Sequence, residues 1–167
     1  VVDNVAIRFK GNSSLNSVQR MGSDRYSFKV DMNRFVPGQR LRGMKKINFN
    51  NGFKDPSLLR EKLAYQTYAS LGLATPRTTY VDLYAAGAHM GLYLAVEQVD
   101  DDFLDRHFGR ADGHLYKPEG AAGSLQYRGE NLRDYGGDFG LKEGDDDHGA
   151  LLAMMRALEP TSNDDLS

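Results

Sequence analysis

Two short stretches near the start of the chain alternate strictly between apolar and polar positions. Val5-Ala6-Ile7-Arg8-Phe9-Lys10 and Tyr26-Ser27-Phe28-Lys29-Val30-Asp31-Met32 both carry the two-residue period of a half-buried strand. Each strand offers one cationic face. Between them, Gly11-Asn12-Ser13-Ser14 and the polar stretch that follows to Asp24 predict a loop suited to ordering around a ligand. A third strand is expected at Lys46–Asn50.

Asp55-Pro56 reads as a helix start, with an acceptor at the cap and proline at the first helical position. The helix should run through Leu71 to a Gly72 cap. Residues 78–84 and 91–99 flank a glycine-containing connection at 85–90 and predict a hairpin, with 92–96 apolar enough for a central strand. An antiparallel sheet covered by the helix is the expected core. Beyond it the pattern predicts a short helix near Asp101–Phe108, a strand at 114–117, a glycine-rich surface excursion over 119–144 and a helix near 150–158. Pro160-Thr161-Ser162-Asn163-Asp164-Asp165-Leu166-Ser167 reads as a helix stop followed by a new helix start, so the protein is expected to continue.

Composition narrows the function classes. The chain has 167 residues, 40% hydrophobic, which suits one compact domain. A net charge of -2 provides no clustered basic excess for nucleic acid, and no stretch approaches the ~18 apolar residues of a membrane span. There is no cysteine, so disulfides, thiolate metal sites and thiol nucleophiles are excluded. His89, His107, His114 and His148 lack metal-ligand spacing, and no serine sits in a G-x-S-x-G elbow. Asp100-Asp101-Asp102 and Asp145-Asp146-Asp147 do not match the calcium-loop pattern and read as solvated loop or helix-cap charge.

The best helix carries a polar exception. At 100° per residue Leu58, Ala64, Tyr65 and Tyr68 form an apolar stripe with Glu61 at its centre. An unpaired buried carboxylate costs several kcal/mol, so Glu61 calls for a cationic partner or a polar cleft, and Lys29 is the candidate partner. A glutamate at the stripe edge with a solvated contact satisfies the same pattern. Gly11-Asn12-Ser13-Ser14 follows a strand and could present amides to phosphate, but it matches neither G-x-G-x-x-G nor the Walker pattern, and an ordinary polar turn fits it better.

Taken in order, the motifs resemble the CotH kinases (spore coat protein H-like). The matching pieces are Ile7-Arg8-Phe9-Lys10-Gly11-Asn12-Ser13-Ser14, Tyr26-Ser27-Phe28-Lys29-Val30-Asp31, and Asn48-Phe49-Asn50-Asn51-Gly52-Phe53-Lys54-Asp55-Pro56-Ser57. Further on come Leu59-Arg60-Glu61-Lys62-Leu63, Pro76-Arg77-Thr78, Gly91-Leu92-Tyr93-Leu94, Val96-Glu97-Gln98 and Leu115-Tyr116-Lys117-Pro118. They span roughly Val5 to Gly120.

The resemblance implies an atypical kinase-like fold that phosphorylates serine or threonine of protein substrates with ATP and Mg²⁺ or Mn²⁺, some members acting on spore-coat proteins. It implies Lys29 as the phosphate-holding lysine, Glu61 as its helix partner, Glu97, Gln98 and Val99 as the hinge beside adenine, and Gly11, Asn12, Ser13 and Ser14 as the phosphate-covering turn. The family's catalytic and metal-binding aspartates have no counterpart in this chain; Asp134 and Asp138 precede the half in which they belong. The expected architecture is therefore an α+β kinase-like N-lobe over 1–159, with 160–167 opening a helical lobe that is absent. A coat or cell-surface location follows from the same resemblance. The rival class is a non-catalytic coat-assembly module on a kinase-like scaffold, since fold does not fix function.

Overall fold

The computed structural model describes residues 1–11, 13–110, 113–119, 125–135, 137–145 and 148–159. The chain is α+β, with a predominantly antiparallel sheet and four α-helices among the described residues. It divides into two compact units, Val1–Gly109 and Arg110–Ser167.

The first unit is built on five strands: β1 (Ala6–Lys10), β2 (Ser27–Asp31), β3 (Lys46–Asn50), β4 (Thr78–Ala85) and β5 (Ala88–Glu97). They run in the order β1-β2-β3-β5-β4 with every neighbouring pair antiparallel. The alternating stretches thus form strands as their period requires, and the apolar 92–96 segment lies inside the sheet. Because side chains alternate across a strand, the register sorts the sheet into two faces. Arg8, Lys29, Asn48 and Val96 stand in one row across four strands. Ile7, Val30 and Ile47 stand in a row of the opposite face.

That opposite face carries the core. Met32, Ile47 and Ala95 are buried there, with Val2, Val5, Val30, Met44, Phe49 and Val81 against them. Fully burying one such side chain is worth about 1.5–3 kcal/mol. Phe9, Phe28 and Tyr93 extend the cluster as a chain of rings with centroids 5.5 and 6.2 Å apart.

Several expectations are corrected. The stretch from Gly11 to Asp24 is not all loop: α1 (Ser13–Arg20) occupies most of it. Val18, three residues after Leu15, is only 3% exposed, and its burial outweighs the polar composition of the segment. The principal helix, α2 (Arg60–Ser70), begins four residues after Pro56 because Leu58 takes a left-handed φ of 57° that a continuous helix cannot contain. Asp55 instead caps a turn, accepting from Arg60 N at 2.8 Å and Ser57 N at 3.2 Å. The stripe on α2 is also not buried: Leu58, Glu61 and Tyr65 are half-buried, Ala64 and Tyr68 are exposed, and the helix contains no buried residue. The hairpin connection shrinks to Ala86-Gly87, whose φ values of 48° and 80° suit a tight two-residue turn. Helix α3 (Asp101–Phe108) forms where its pattern predicts and ends at Gly109 in the left-handed region.

In the second unit β6 (Leu115–Pro118) pairs antiparallel with β7 (Phe139–Glu143), and α4 (Gly149–Ala157) follows. Tyr135, Leu151, Leu152 and Met155 form its core, with Tyr116, Tyr127 and Phe139 packed against them. The 119–144 excursion is therefore not simply surface: it supplies a strand and the buried Tyr135, whose hydroxyl donates to Gly129 O at 3.0 Å. Residues 160–167, expected to open a further helix, lie outside the described residues. Among the described residues no helix is long and apolar enough to cross a membrane.

Candidate functional site

The polar face of the first unit gathers cations by register alone. Arg8 and Lys10 on β1, Lys29 on β2 and Lys46 on β3 alternate with the apolar residues of the opposite face and so share one side. Lys29, at the centre, is half-buried and makes no hydrogen bond or ion pair among the described residues. Burial pushes its ammonium below the ordinary lysine range. Arg8, Lys46 and Lys10 add repulsion, which Asp100 only partly offsets. A desolvated cation among cations is costly to the empty fold, and an anion with several negative oxygens would relieve it.

The expected ion pair between Lys29 and Glu61 is not formed. Glu61 reaches the same sheet face but accepts from Asn50 Nδ2 at 2.7 Å. Asn50 Oδ1 in turn accepts from Lys10 Nζ at 2.8 Å. Two other polar threads tie the α2 region to the sheet: Lys62 Nζ donates to Thr78 O and Oγ1 at 2.7 and 2.8 Å, and Tyr80 donates to Leu58 O at 2.6 Å. At the far end of β2, Arg25 fixes the entry to the strand by donating to Asn51 O at 3.1 Å and Met90 O at 3.2 Å, and its guanidinium lies over the Tyr93 ring.

The turn after β1 has a second feature suited to anions. Gly11 has a φ of 102°, and a Cβ there would stand 2.2 Å from Ser14 Oγ, so only glycine fits where β1 turns into the N-terminus of α1. Helix N-termini present unpaired amides. Of the expected turn residues, Asn12 lies outside the described residues, and Ser13 opens the helix.

The segment Glu97-Gln98-Val99 leaves β5 beside this face, but its polar groups are largely committed. Glu97 is 3% exposed, and its carboxylate accepts from Arg77 N at 2.9 Å, from the Arg77 guanidinium at 2.8 Å and from the Arg106 guanidinium. Burial alone would raise its pKa; the two arginines hold it below the usual carboxylate range. Glu97 N donates to Arg77 O at 2.9 Å and Gln98 N to Lys46 O at 3.3 Å. The Gln98 side chain bridges Asn48 Nδ2, 3.1 Å away, to Val99 O at 2.9 Å. The Val99 N–H is left without an acceptor among the described residues.

Asp100 follows at the start of α3. It is 4% exposed, with Oδ2 lacking a hydrogen-bond partner and lying 4.0 Å from Lys46 Nζ. Burial pushes its carboxyl up to about 6; Lys46 opposes the rise, and Asp101 and Asp102 add to it. Asp101 pairs with Lys45, and Asp102 accepts from Arg40 at 3.0 Å and Lys45 N at 3.0 Å. In the second unit Asp138 pairs with Arg128 at 3.1 Å. Among the described residues no three His, Asp or Glu side chains converge as a metal site would require.

Sequence reasoning gave no site role to Lys46, Asn48, Asn50, Arg77 and Arg106, and it read Asp100 as solvated loop or helix-cap charge, whereas Asp100 holds the cap position of α3 from a buried place. A signal existed for three of them: Lys46-Ile47-Asn48-Phe49-Asn50 alternates as regularly as β1 and β2, which places its polar members beside Lys29. Nothing local marks Arg77 and Arg106 as partners of Glu97, because the three meet only through the fold.

The comparisons with known proteins bear on the same residues. The Inner spore coat protein H of Bacillus subtilis (strain 168) is 33% identical over 82 residues, a stretch that covers 49% of this chain and 22% of that relative. The chain thus spans less than a quarter of the curated relative's length. The family described as CotH kinase protein matches residues 7–167, a span that takes in the cationic face, Glu61 and the Glu97-Gln98-Val99 segment. The chain belongs to the CotH family.

Proposed function

We propose that this chain is the ATP-binding portion of a CotH-type protein serine/threonine kinase, with the cationic face of its first unit holding the triphosphate. The observation that carries the reading is Lys29: a half-buried ammonium with no partner, its charge disfavoured by burial and by Arg8, Lys46 and Lys10. The donor set fits a polyphosphate, whose oxygens would accept from Lys29 and its neighbours and from the amides where β1 turns into α1. Adenine would lie beside residues 97–99, where the Val99 N–H is the uncommitted main-chain donor.

In the reaction class implied, the bond from the γ-phosphorus to the bridging oxygen breaks and leaves ADP. A new ester forms on a serine or threonine oxygen, whose proton passes to a base outside this chain. The contribution of these residues is to position the phosphates and compensate their charge, which is most of what catalysis of phosphoryl transfer requires. Metal and base are expected elsewhere in the protein, so this chain alone should transfer no phosphate at a useful rate.

The name of the Bacillus subtilis relative favours a coat-associated role, and spore-coat or surface proteins are the substrates we propose. A non-catalytic coat module is the rival. The full-length protein should be warmed with and without ATP and Mg²⁺ or Mn²⁺, then given γ-labelled ATP and coat proteins. The kinase reading expects ATP-dependent stabilisation and label on serine or threonine. Full-length protein that ATP neither stabilises nor uses for labelling would leave the assembly module.

A further inference from the structure

In the arrangement seen here, helix α2 does not reach Lys29. It reaches Lys10, through one intermediate. The register pairs Lys10 with Ser27, and extending the β2–β3 pairing sets Asn50 opposite Ser27 on the next strand. Lys10 and Asn50 are thus two strands apart, with only the small Ser27 between them, and the Lys10 side chain spans the gap to donate to Asn50 Oδ1 at 2.8 Å. Asn50 Nδ2 donates to Glu61 Oε1 at 2.7 Å. A side-chain amide suits this place because it accepts from a cation at one end and donates to a carboxylate at the other. Turned over, it would set NH₂ against ammonium and carbonyl against carboxylate.

We infer that Asn50 is a positioning residue that passes the hold of Glu61 to Lys10, so that Lys10 is the cation α2 aims at a bound phosphate chain, while Lys29 is left to follow the ligand. This rests on the nucleotide reading above and sharpens it: two lysines hold the phosphates, one fixed and one adaptable. The energetic setting agrees. Lys10 is among the charges that disfavour the Lys29 ammonium. No residue of α2 is buried, so the helix depends on polar ties such as this one, and its position and that of Lys10 are coupled.

A swap separates this arrangement from direct pairing of Glu61 with Lys29. In the full-length protein, N50D places a carboxylate against Glu61 and should lower ATP affinity about tenfold, the scale of one charge-assisted hydrogen bond. Adding E61Q rebuilds the chain with donor and acceptor exchanged, since the amide of Gln donates to the carboxylate that holds Lys10. The double variant should recover to within about threefold of wild type. If E61Q deepens the loss instead, Glu61 acts on Lys29 directly and the inference is wrong.

A second arm needs no nucleotide. K10M, E61Q and their combination are unfolded thermally with Asn50 present and again in an N50L background. Non-additive midpoints with Asn50, becoming additive with N50L, are expected. Additivity in both backgrounds would overturn the relay. A wild-type protein that binds no ATP would sink the nucleotide reading alone, and the unfolding cycle would still decide the role of Asn50.

Discussion

Two charge clusters of the first unit are built in opposite ways. At the junction of β5 and α3, Glu97 is buried and saturated: Arg77 and Arg106 converge on both carboxylate oxygens, and the backbone N–H of Arg77 adds a further donor. On the face formed by β1, β2 and β3, Lys29 is half-buried and unsatisfied, with three more cations on the same side of the sheet. The first arrangement is complete in the empty protein and marks a structural joint. The second is a cost that folding alone leaves unrelieved, one that an anion would offset.

The largest effect should come from breaking the saturated cluster. Glu97→Ala leaves two arginines without their carboxylate and should cost about 3 kcal/mol, lowering the unfolding midpoint by roughly 6–12 °C. The folded pKa of Glu97 lies below its unfolded value, so the folded state binds fewer protons. Its contribution is therefore full above about pH 4.5 and is lost as the pH falls through the folded pKa. A thermal melt of the variant within a degree of wild type would show that the junction does not brace residues 97–99.

Lys29→Met should separate function from stability. ATP affinity should fall roughly thirtyfold, about 2 kcal/mol, while the unliganded protein gains on the order of a degree in its midpoint. The gain depends on pH with a definite sign. The folded pKa of Lys29 is depressed below 10.5, so its protonated form burdens the fold at neutral pH. That burden fades as the pH climbs from the folded pKa to the unfolded one, and wild type and variant should converge there. A variant less stable than wild type at pH 7 would mean that Lys29 has a partner in the empty protein.

Asp100→Asn should give the smallest change, a stabilisation on the order of 1 kcal/mol at pH 7.5. The folded pKa of about 6 lies above the unfolded 3.8, so the folded state holds its proton more tightly and wild type gains stability as the pH falls through that window. The difference between the two proteins should vanish near pH 4. A difference that stays constant across the window would place the effect in the cap of α3 rather than in the buried charge beside Lys46.

Much of this was legible in the sequence because it is periodic. The alternations at β1, β2 and β3 fixed both which residues form strands and that Arg8, Lys10 and Lys29 share a face. Glu61 was legible as an interruption of an apolar run. What escaped had no period to carry it. The helix α1 shows two apolar residues among eight, too few to outweigh its serines and asparagine. The late start of α2 follows from a left-handed Leu58, which no propensity signals. The partner of Glu61 was misread because Lys29 and Asn50 both lie on the right face, and the choice turns on two residues of offset, one row to the next: Glu61 meets the row of Lys10, Ser27 and Asn50, not the row of Lys29. The Glu97 cluster joins residues 77, 97 and 106, a contact of the kind that only a three-dimensional fold reveals.

The proposed role of the cationic face around Lys29 is to hold the phosphates of a nucleotide. Calorimetric titration of the full-length protein with AMP, ADP and ATP tests it most directly, run in parallel on wild type and Lys29→Met. Affinity should climb with each added phosphate in wild type, and this climb should flatten in the variant while AMP binding stays nearly unchanged. Equal affinity for all three nucleotides in wild type, or a climb that survives the loss of Lys29, would contradict it.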